Sequence, residues 1–478
     1  MLRLLKASLI YRAVAAISAA FGNQWRRSAV VSRFLSGGRA SDGGTPSALW
    51  QRVRALIGAG GRALKLERLL AGSIFLRPEL WCAATLFLAP LVPTLAAAGL
   101  AGVAFLSALL KLAVEPDAPS ARHGALRYAL IFAALYFASI FTSVSVRGSL
   151  YGGLLQTFFA LFSAVTFFSM RERRSLTLAL RAFALSGALV AGYGVLQYVR
   201  GATGASGWLD SEMFSDIGLR VYSTLGNPNV LAGYLLLVIP FAAALALTEK
   251  RVLSKLLFLG ALGVMTLCMA LTFARGGWVG LIVAAAVFLV MLDRRFILLG
   301  IIGLIALYFL LPDVIIARLL SIGNLKDGST SYRLSIWLGT LVMLRDFWFV
   351  GIGPGEAAFN KLYPLYSYNA VAAPHSHNLF LQLVCDSGIA ALLAFVIMLF
   401  SYVRALASSI RAYAENRTAR LYSIAALASA AGFLTQGMTD YSFYNYRVVL
   451  AFWGTIGLGM ALSRRDFAGA APAGEDDK

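Results

Sequence analysis

Repeated apolar runs of about twenty residues restrict the possible folds of this chain more than any other feature. The runs at 230–248 and 378–403 carry at most one charged residue each, and short connectors with charges, Gly or Pro separate successive runs. About twenty apolar residues is the length that an α-helix needs to cross a bilayer. The composition agrees, with 59% hydrophobic and 13% charged residues in 478 positions. We therefore expect an all-α integral membrane protein with about twelve transmembrane helices.

The basic residues predict how these helices are oriented. Lys and Arg cluster in alternate short connectors, for example at 170–174 and 249–251, and cytoplasmic ends of membrane helices are rich in these residues. With a cytoplasmic N-terminus, the longest loop, 312–377, lies between the ninth and tenth spans on the outer side. Its segment from 330 to 345 has a helical pattern, so we expect short helices within this loop. The other outward segments are the loops at 200–229 and 439–446.

The two ends of the chain differ from the membrane domain, which we place at 77–466. Residues 1–76 contain basic amphipathic stretches around a Gly- and Ser-rich linker, a composition typical of helices that lie on an anionic membrane surface. A signal peptide fits less well, because no apolar core leads to a small-residue cleavage site. Residues 467–478 form a short polar tail. The net charge of +20 is spread over the ends and loops, so no nucleic-acid partner is expected.

Potential acid–base chemistry is concentrated just before the run at 378–403. His375 and His377 are two of the three histidines in the chain, and Asn378 is the residue best suited to cap the following helix. The positive end of a helix disfavours an imidazolium ion, so a histidine there is expected to stay neutral and to act as a base. Two other interpretations remain open. In the first, the histidines only satisfy hydrogen bonds at an interface. In the second, the pair binds a metal, although no third ligand lies nearby in the sequence.

A polar stripe continues into this helix. Asn378, Gln382 and Asp386 are spaced four residues apart, which places them on one helical face. We predict that all three contact substrate, together with His375. A carboxylate about two turns inside a membrane helix normally faces the bundle interior and has a partner.

Three arginines lie on the predicted outer side, where basic residues are scarce. They are Arg220, Arg275 and Arg333. Arg275 alone is also explained by a side chain that reaches the interface and anchors its helix. A polyanionic ligand explains the three together, because guanidinium groups bind phosphate oxygens in a bidentate manner.

Two further features of the long outer loop have more than one interpretation. Residues 350–355 (VGIGPG) predict a turn that is structural or, alternatively, cradles a phosphate. Tyr363, Tyr366 and Tyr368 are typical of an aromatic belt at a membrane interface or of a platform on which a sugar stacks.

Three sequence blocks resemble the O-antigen ligase/polymerase superfamily. Residues 375–383 (HSHNLFLQL), with an acidic residue and Gly388 downstream, are similar to the family's signature. Residues 225–233 (LGNPNVLAG) and 272–280 (TFARGGWVG) resemble two further family blocks in the expected order. The resemblance covers roughly residues 80–465.

The resemblance implies a glycosyltransferase of the cytoplasmic membrane that needs no metal or other cofactor. Its expected partners are the lipid bilayer, a polyprenyl pyrophosphate-linked glycan as donor, and a glycan, lipid or protein acceptor outside the cytoplasm. The family's base corresponds to His377, and its two essential outer arginines correspond to Arg275 and Arg333. Arg220 is expected to assist them. Many members carry Glu where this chain has Asp386. The competing class is a transporter for inorganic carbon or another small solute.

Overall fold

The computed structural model describes residues 48–116, 123–201, 220–293, 295–310, 313, 316 and 328–464. This described part is helical and contains no β-strand, so the predicted all-α class is confirmed. Several predicted segments lie outside the described residues. They are residues 1–47 of the N-terminal extension, residues 202–219 of one outer loop, most of 311–327 in the longest outer loop, and the tail at 467–478.

The α-helices follow one another along the chain, connected by short loops and 3₁₀ turns. Their bounds are α1 Ala48–Ala63, α2 Leu66–Leu70, α3 Pro78–Leu88, α4 Thr94–Val114, α5 Gly124–Ala138, α6 Val146–Ser169, α7 Arg173–Val199, α8 Pro228–Thr248, α9 Val252–Leu271, α10 Arg275–Leu292, α11 Phe296–Leu310, α12 Gly328–Phe347, α13 Glu356–Leu362, α14 Leu379–Ala412, α15 Arg417–Gly437 and α16 Tyr446–Leu462.

The apolar runs at 230–248 and 378–403 coincide with α8 and with most of α14. Among the described residues, seven helices are long and apolar enough to cross a membrane, namely α4, α6, α7, α8, α9, α10 and α14. The helices α3, α5 and α16 are apolar but shorter. The chain is therefore a membrane protein, while the number of twelve spans and their orientation remain predictions. Helices suit this environment because they satisfy their backbone hydrogen bonds internally.

Among the seven candidate spans of the described residues, α8 is the most enclosed: 89% of its most apolar stretch is buried, compared with 28% in α4, α9 and α10. Helices α15 and α16 pack beside it and are also mostly buried. Small residues allow close approach, since a Cβ atom at Gly280 of α10 would lie 2.7 Å from the carbonyl oxygen of Gly432 in α15. Close packing matters here because lipid provides no hydrophobic driving force between helices.

Helix α14 is kinked at Gly388, where φ is +74°. A side chain at this position would overlap the carbonyl oxygen of Phe349. The predicted turn at 350–355 packs into this kink, and the backbone N–H of Ile352 donates to the carbonyl oxygen of Cys385 over 2.6 Å. The turn therefore has a structural role, because it joins the long outer loop to the N-terminal half of α14.

The described part of the N-terminal extension consists mainly of α1 and α2. Helix α1 packs against the C-terminal end of α4, and a side chain at Gly61 would overlap the carbonyl oxygen of Ala113. Residues 48–63 and 66–70 of this extension are helical, and its place on the membrane surface remains a prediction.

Candidate active site at the helix N-termini

A cavity of about 1210 Å³ lies at one end of the helix bundle. Residues from the N-terminal ends of α6, α8, α10, α13 and α16 line it, together with residues of α12 and of the loop before α14. Six of the eight predicted site residues meet there: Arg220, Arg275, Arg333, His375, His377 and Gln382. The other two, Asn378 and Asp386, do not line the cavity.

His377 is paired with Asp440, which lies in the turn between α15 and α16. The Nδ1 atom of His377 is 3.2 Å from the Oδ1 atom of Asp440, and the two side chains are 19% and 8% exposed. Burial alone would raise the pKa of Asp440, but the hydrogen bond with His377, the attraction of that ring in its protonated form and the charge of Arg333 hold it below its usual range. Asp440 is therefore ionised at neutral pH. A carboxylate at Nδ1 favours the tautomer with its proton there, which leaves the Nε2 lone pair to accept another.

The backbone of His377 adopts an uncommon conformation. His377 has φ +48°, in the left-handed region where non-glycine residues are uncommon. The next residue, Asn378, is the N-cap of α14 as predicted, since its Oδ1 accepts from the N–H groups of Phe380 and Leu381. Its Nδ2 donates to the carbonyl oxygen of Met438 over 2.8 Å. Asn378 thus holds the histidine loop against α15, and its polar atoms are engaged by the protein.

His375 has surroundings different from those of His377, although the two ring centroids are only 4.2 Å apart. The His375 ring stacks on Tyr444, and its Nδ1 accepts from the backbone N–H of His377 over 3.3 Å. Burial and the charge of His377, with a smaller contribution from Arg333, lower the pKa of His375 to about 3, against the opposing charge of Asp440. His375 is therefore neutral at physiological pH.

Asp386 forms the centre of a buried hydrogen-bond network beneath the cavity. Its carboxylate is fully buried and accepts from the Tyr136 hydroxyl at 2.7 Å, the Gln382 amide at 2.8 Å and the Tyr441 hydroxyl at 3.1 Å. The Oε1 atom of Gln382 in turn accepts from the backbone N–H of Ser376 at 2.7 Å. The expectation that this carboxylate faces the interior with partners is confirmed. The network connects the histidine loop to the turn that carries Asp440.

Two of the predicted arginines line the cavity close to the first turns of α12. Arg275 is the first residue of α10, and its guanidinium donates to the hydroxyl oxygens of Ser329 and Thr330 in α12. Arg333 lies one turn further along α12 and is close enough to Asp440 to affect its pKa. Its buried Nε–H has no hydrogen-bond partner among the described residues, so this donor is available to a ligand.

Arg220 is 5% exposed and supports the turn that presents Arg275. Its Nε donates to the carbonyl oxygen of Thr272 over 2.8 Å, and its guanidinium also donates to Asn229 over 3.0 Å. Asn227 caps α8 through its side chain. These contacts explain the two asparagines of the LGNPNVLAG block, since Asn227 begins α8 and Asn229 orients Arg220.

The three tyrosines that were interpreted as an aromatic belt or as a sugar platform do not line the cavity. Tyr363 is buried and stacks on Phe359, Tyr366 donates to Asp346, and Tyr368 is exposed at the surface. The tyrosines that do line the cavity are Tyr136, Tyr151, Tyr332, Tyr441, Tyr444 and Tyr446. Tyr332 contacts the edge of the His377 ring, with the centroids 5.7 Å apart.

Asp440 is not among the residues predicted from the sequence. Arg275 is singled out because basic residues are scarce on the predicted outer side. That criterion does not apply to a carboxylate such as Asp440, which lies in the turn between α15 and α16. What the sequence does not contain is the fold that brings this turn to His377.

Residues 260–396 match a protein-family model described as O-antigen ligase. This segment is similar to O-antigen ligases. The matched segment contains every predicted site residue except Arg220, and the resemblance seen in the sequence is confirmed. The match supports a membrane function of the O-antigen ligase/polymerase type and gives no support to a transporter. No curated protein matches the chain.

Proposed function

We propose that this protein transfers a glycan from a polyprenyl pyrophosphate donor to an acceptor hydroxyl, with inversion at the sugar and without a metal. The observation that carries the proposal is the lining of a single cavity by the His377–Asp440 pair and by the guanidinium groups of Arg275 and Arg333. A base and an anion-binding group are the two elements that displacement of a pyrophosphate by a hydroxyl requires.

His377 acts as the general base. Its Nε2 takes the proton of the acceptor hydroxyl as the hydroxyl oxygen forms a bond to the anomeric carbon. The bond from this carbon to the pyrophosphate oxygen breaks, and its electron pair stays on the leaving group. Asp440 stabilises the positive charge that the ring gains. Attack from the face opposite the pyrophosphate inverts the configuration.

Arg275 and Arg333 stabilise the charge that develops on the leaving pyrophosphate. Guanidinium groups bind phosphate oxygens in a bidentate manner, and the Nε–H of Arg333 lies buried without a partner in the described part of the chain. Several helix N-termini meet at the same cavity, and each carries partial positive charge. These fixed charges perform the neutralisation for which other enzymes use a metal ion.

The remaining predicted residues divide into contact and positioning roles. His375 is neutral and lines the cavity, so it contacts substrate directly. Asn378 and Asp386 act through other residues. Asn378 fixes the loop that carries the histidines, and Asp386 fixes the distance between that loop and Asp440. Gln382 combines both roles, because it lines the cavity and bonds to Asp386.

We place the cavity on the outer side of the cytoplasmic membrane, with the N-terminus in the cytoplasm. The supporting observation is that Lys and Arg cluster in alternate short connectors, which predicts this orientation. A donor held in the bilayer by its polyprenyl chain then reaches the cavity from the side. The acceptor is a lipid, a growing polysaccharide or a protein hydroxyl.

The proposal is tested with the purified full-length protein in lipid vesicles that contain a polyprenyl pyrophosphate-linked glycan. Release of the polyprenyl pyrophosphate should occur only when an acceptor is added. Arg275→Gln and Arg333→Gln should each reduce the rate about 100-fold, as expected for loss of one charge-stabilising group.

Arg345→Gln is the matched control. Arg345 lies on the same helix as Arg333 but is exposed and does not line the cavity, so its replacement should leave the rate within about twofold, as for other surface substitutions. Acceptor-independent release of the lipid, or equal effects of all three substitutions, would contradict the proposal.

A further inference from the structure

A second cavity lies at the opposite end of α6. The N-terminal turns of α6 line the cavity of the candidate active site, whereas Ser169 and Arg171 at its other end line this one. Its volume is about 320 Å³, and its walls come from α1, α3, α4, α5 and α6. We call it the basal cleft and define it by Arg54, Phe105, Lys111, Leu161 and Arg171.

The rim of the basal cleft is positively charged. Arg54, Lys111 and Arg171 all line it, with Glu115 as the accompanying carboxylate. Burial and the positive charge of Arg464 lower the pKa of Arg171, as does Arg54 to a smaller extent, while Glu115 opposes them. Several cations are thus held close to one another, an arrangement that a bound anion stabilises.

The rest of the basal cleft is apolar. Leu161 and Ser169, which line the cleft from α6, are eight positions apart, which corresponds to about 12 Å of helix. Over this distance the walls are built from side chains such as Phe105 and Leu130. The cleft is therefore charged at one end and apolar along its length, which is the shape and polarity of an amphiphile with an anionic head.

The wall that carries Arg54 is an integral part of the fold. Helix α1 packs closely on α4, and no side chain fits at Gly61 without meeting the backbone of Ala113. Arg54 itself donates to the carbonyl oxygen of Pro116 just beyond α4. The position of its guanidinium at the rim is therefore fixed by packing.

We propose that the basal cleft binds a phospholipid with an anionic headgroup, its phosphate against Arg54 and Arg171 and one acyl chain along Phe105 and Leu161. This site is separate from the proposed catalytic cavity. Under the predicted orientation the rim faces the cytoplasmic leaflet, where anionic lipids attract juxtamembrane cations. Residues 1–47 of the chain are a poorer occupant. They contain seven Lys or Arg residues and one Asp, and so would add positive charge to a positive rim.

The test uses full-length protein, delipidated in a neutral detergent and then mixed with phosphatidylglycerol or phosphatidylethanolamine of the same acyl chains. Native mass spectrometry measures the lipid retained. We expect retention of phosphatidylglycerol in preference to phosphatidylethanolamine. The double variant Arg54→Gln/Arg171→Gln should weaken phosphatidylglycerol binding roughly 30-fold, since each basic residue near a lipid surface contributes about 1 kcal/mol.

Two further variants make the result specific. Arg173→Gln/Arg174→Gln removes the same charge from exposed positions next to the cleft and should leave binding unchanged. Ala164→Phe fills the apolar part of the cleft without changing charge, and should abolish lipid retention as well. Size-exclusion profiles and unfolding temperatures show whether each variant is folded.

Four outcomes would overturn the proposal. They are equal retention of the two lipids, equal loss in the control and cleft arginine variants, no effect of Ala164→Phe, and no retained phosphatidylglycerol in the wild-type protein. If Ala164→Phe has no effect and inorganic phosphate competes as well as the lipid does, the cleft is a site for a free anion. The fourth outcome would mean that another segment or molecule fills the cleft.

Discussion

The most informative single substitution is Asp440→Asn. It keeps the size of the side chain and an acceptor oxygen, but removes the charge that faces His377 at 3.2 Å. At this distance two unit charges interact with about 1 kcal/mol in water and about 5 kcal/mol at the effective dielectric constant typical of protein sites. The corresponding loss in rate lies between about tenfold and several thousandfold. The amide also donates to Nδ1, and so favours the tautomer whose Nε2 carries a proton and is unable to act as a base.

We therefore expect a fall in kcat of about 100- to 1000-fold, with a KM for the lipid-linked donor within about threefold of wild type, because the arginines that bind it are unchanged. The assay follows transfer of radiolabelled glycan from lipid-linked donor in membrane vesicles that contain the full-length variant. Asp346→Asn is the control, since this carboxylate also accepts a hydrogen bond, from Tyr366, but lies outside the cavity. Transfer by Asp440→Asn at a rate within threefold of wild type would refute the proposed pairing with His377.

Three further predictions concern stability and the supporting network. Asp386→Asn should lower the free energy of unfolding by about 2–3 kcal/mol, because buried donors lose an acceptor, and should reduce kcat more than it changes KM; an unchanged melting temperature and rate would contradict it. Gly388→Ala should lower the free energy of unfolding by about 3 kcal/mol or more, because Gly388 has a positive φ and no room for a side chain. In the same thermal unfolding assay, Gly102→Ala should be neutral or slightly stabilising, because Gly102 lies in open space on α4. Acid should destabilise the protein. The pKa of His375 is about 3 in the folded protein and 6.5 in the unfolded chain, so the unfolded chain takes up a proton at a higher pH. The free energy of unfolding therefore falls by about 3 kcal/mol between pH 6.5 and 4. The depressed pKa of Asp440 adds to the loss below its ordinary value of 3.8. A melting temperature that stays constant or rises over this range would contradict the burial of His375.

The parts of the structure that depend on local sequence were predictable. Apolar runs located the helices, because the length and composition of a run decide whether it forms a membrane helix. The cap at Asn378 was predictable for the same reason, since an N-cap depends on one side chain and the next two or three N–H groups. The kink at Gly388 was not predicted. A single glycine in an apolar run is compatible with a straight helix, and only the contact with Phe349 shows why the chain bends there.

The parts that depend on tertiary packing were not predictable. His377 and Asp440 are 63 positions apart, and they meet because α14 packs against α15. Periodicity correctly placed Asn378 and Asp386 on one helical face. It did not show that this face meets Met438 and Tyr441 of the same protein, where a substrate contact was expected.

The central claim is that His377 is the base of a glycosyl transfer, and the transfer rate of His377→Ala tests it most directly. In vesicles with lipid-linked donor and acceptor, the variant should lose at least about 100-fold in kcat while it still binds the donor, as expected for loss of a general base. His375→Ala, which removes the neighbouring imidazole, should instead act mainly on KM. If His377→Ala transfers glycan at the wild-type rate, the assignment of the base is wrong.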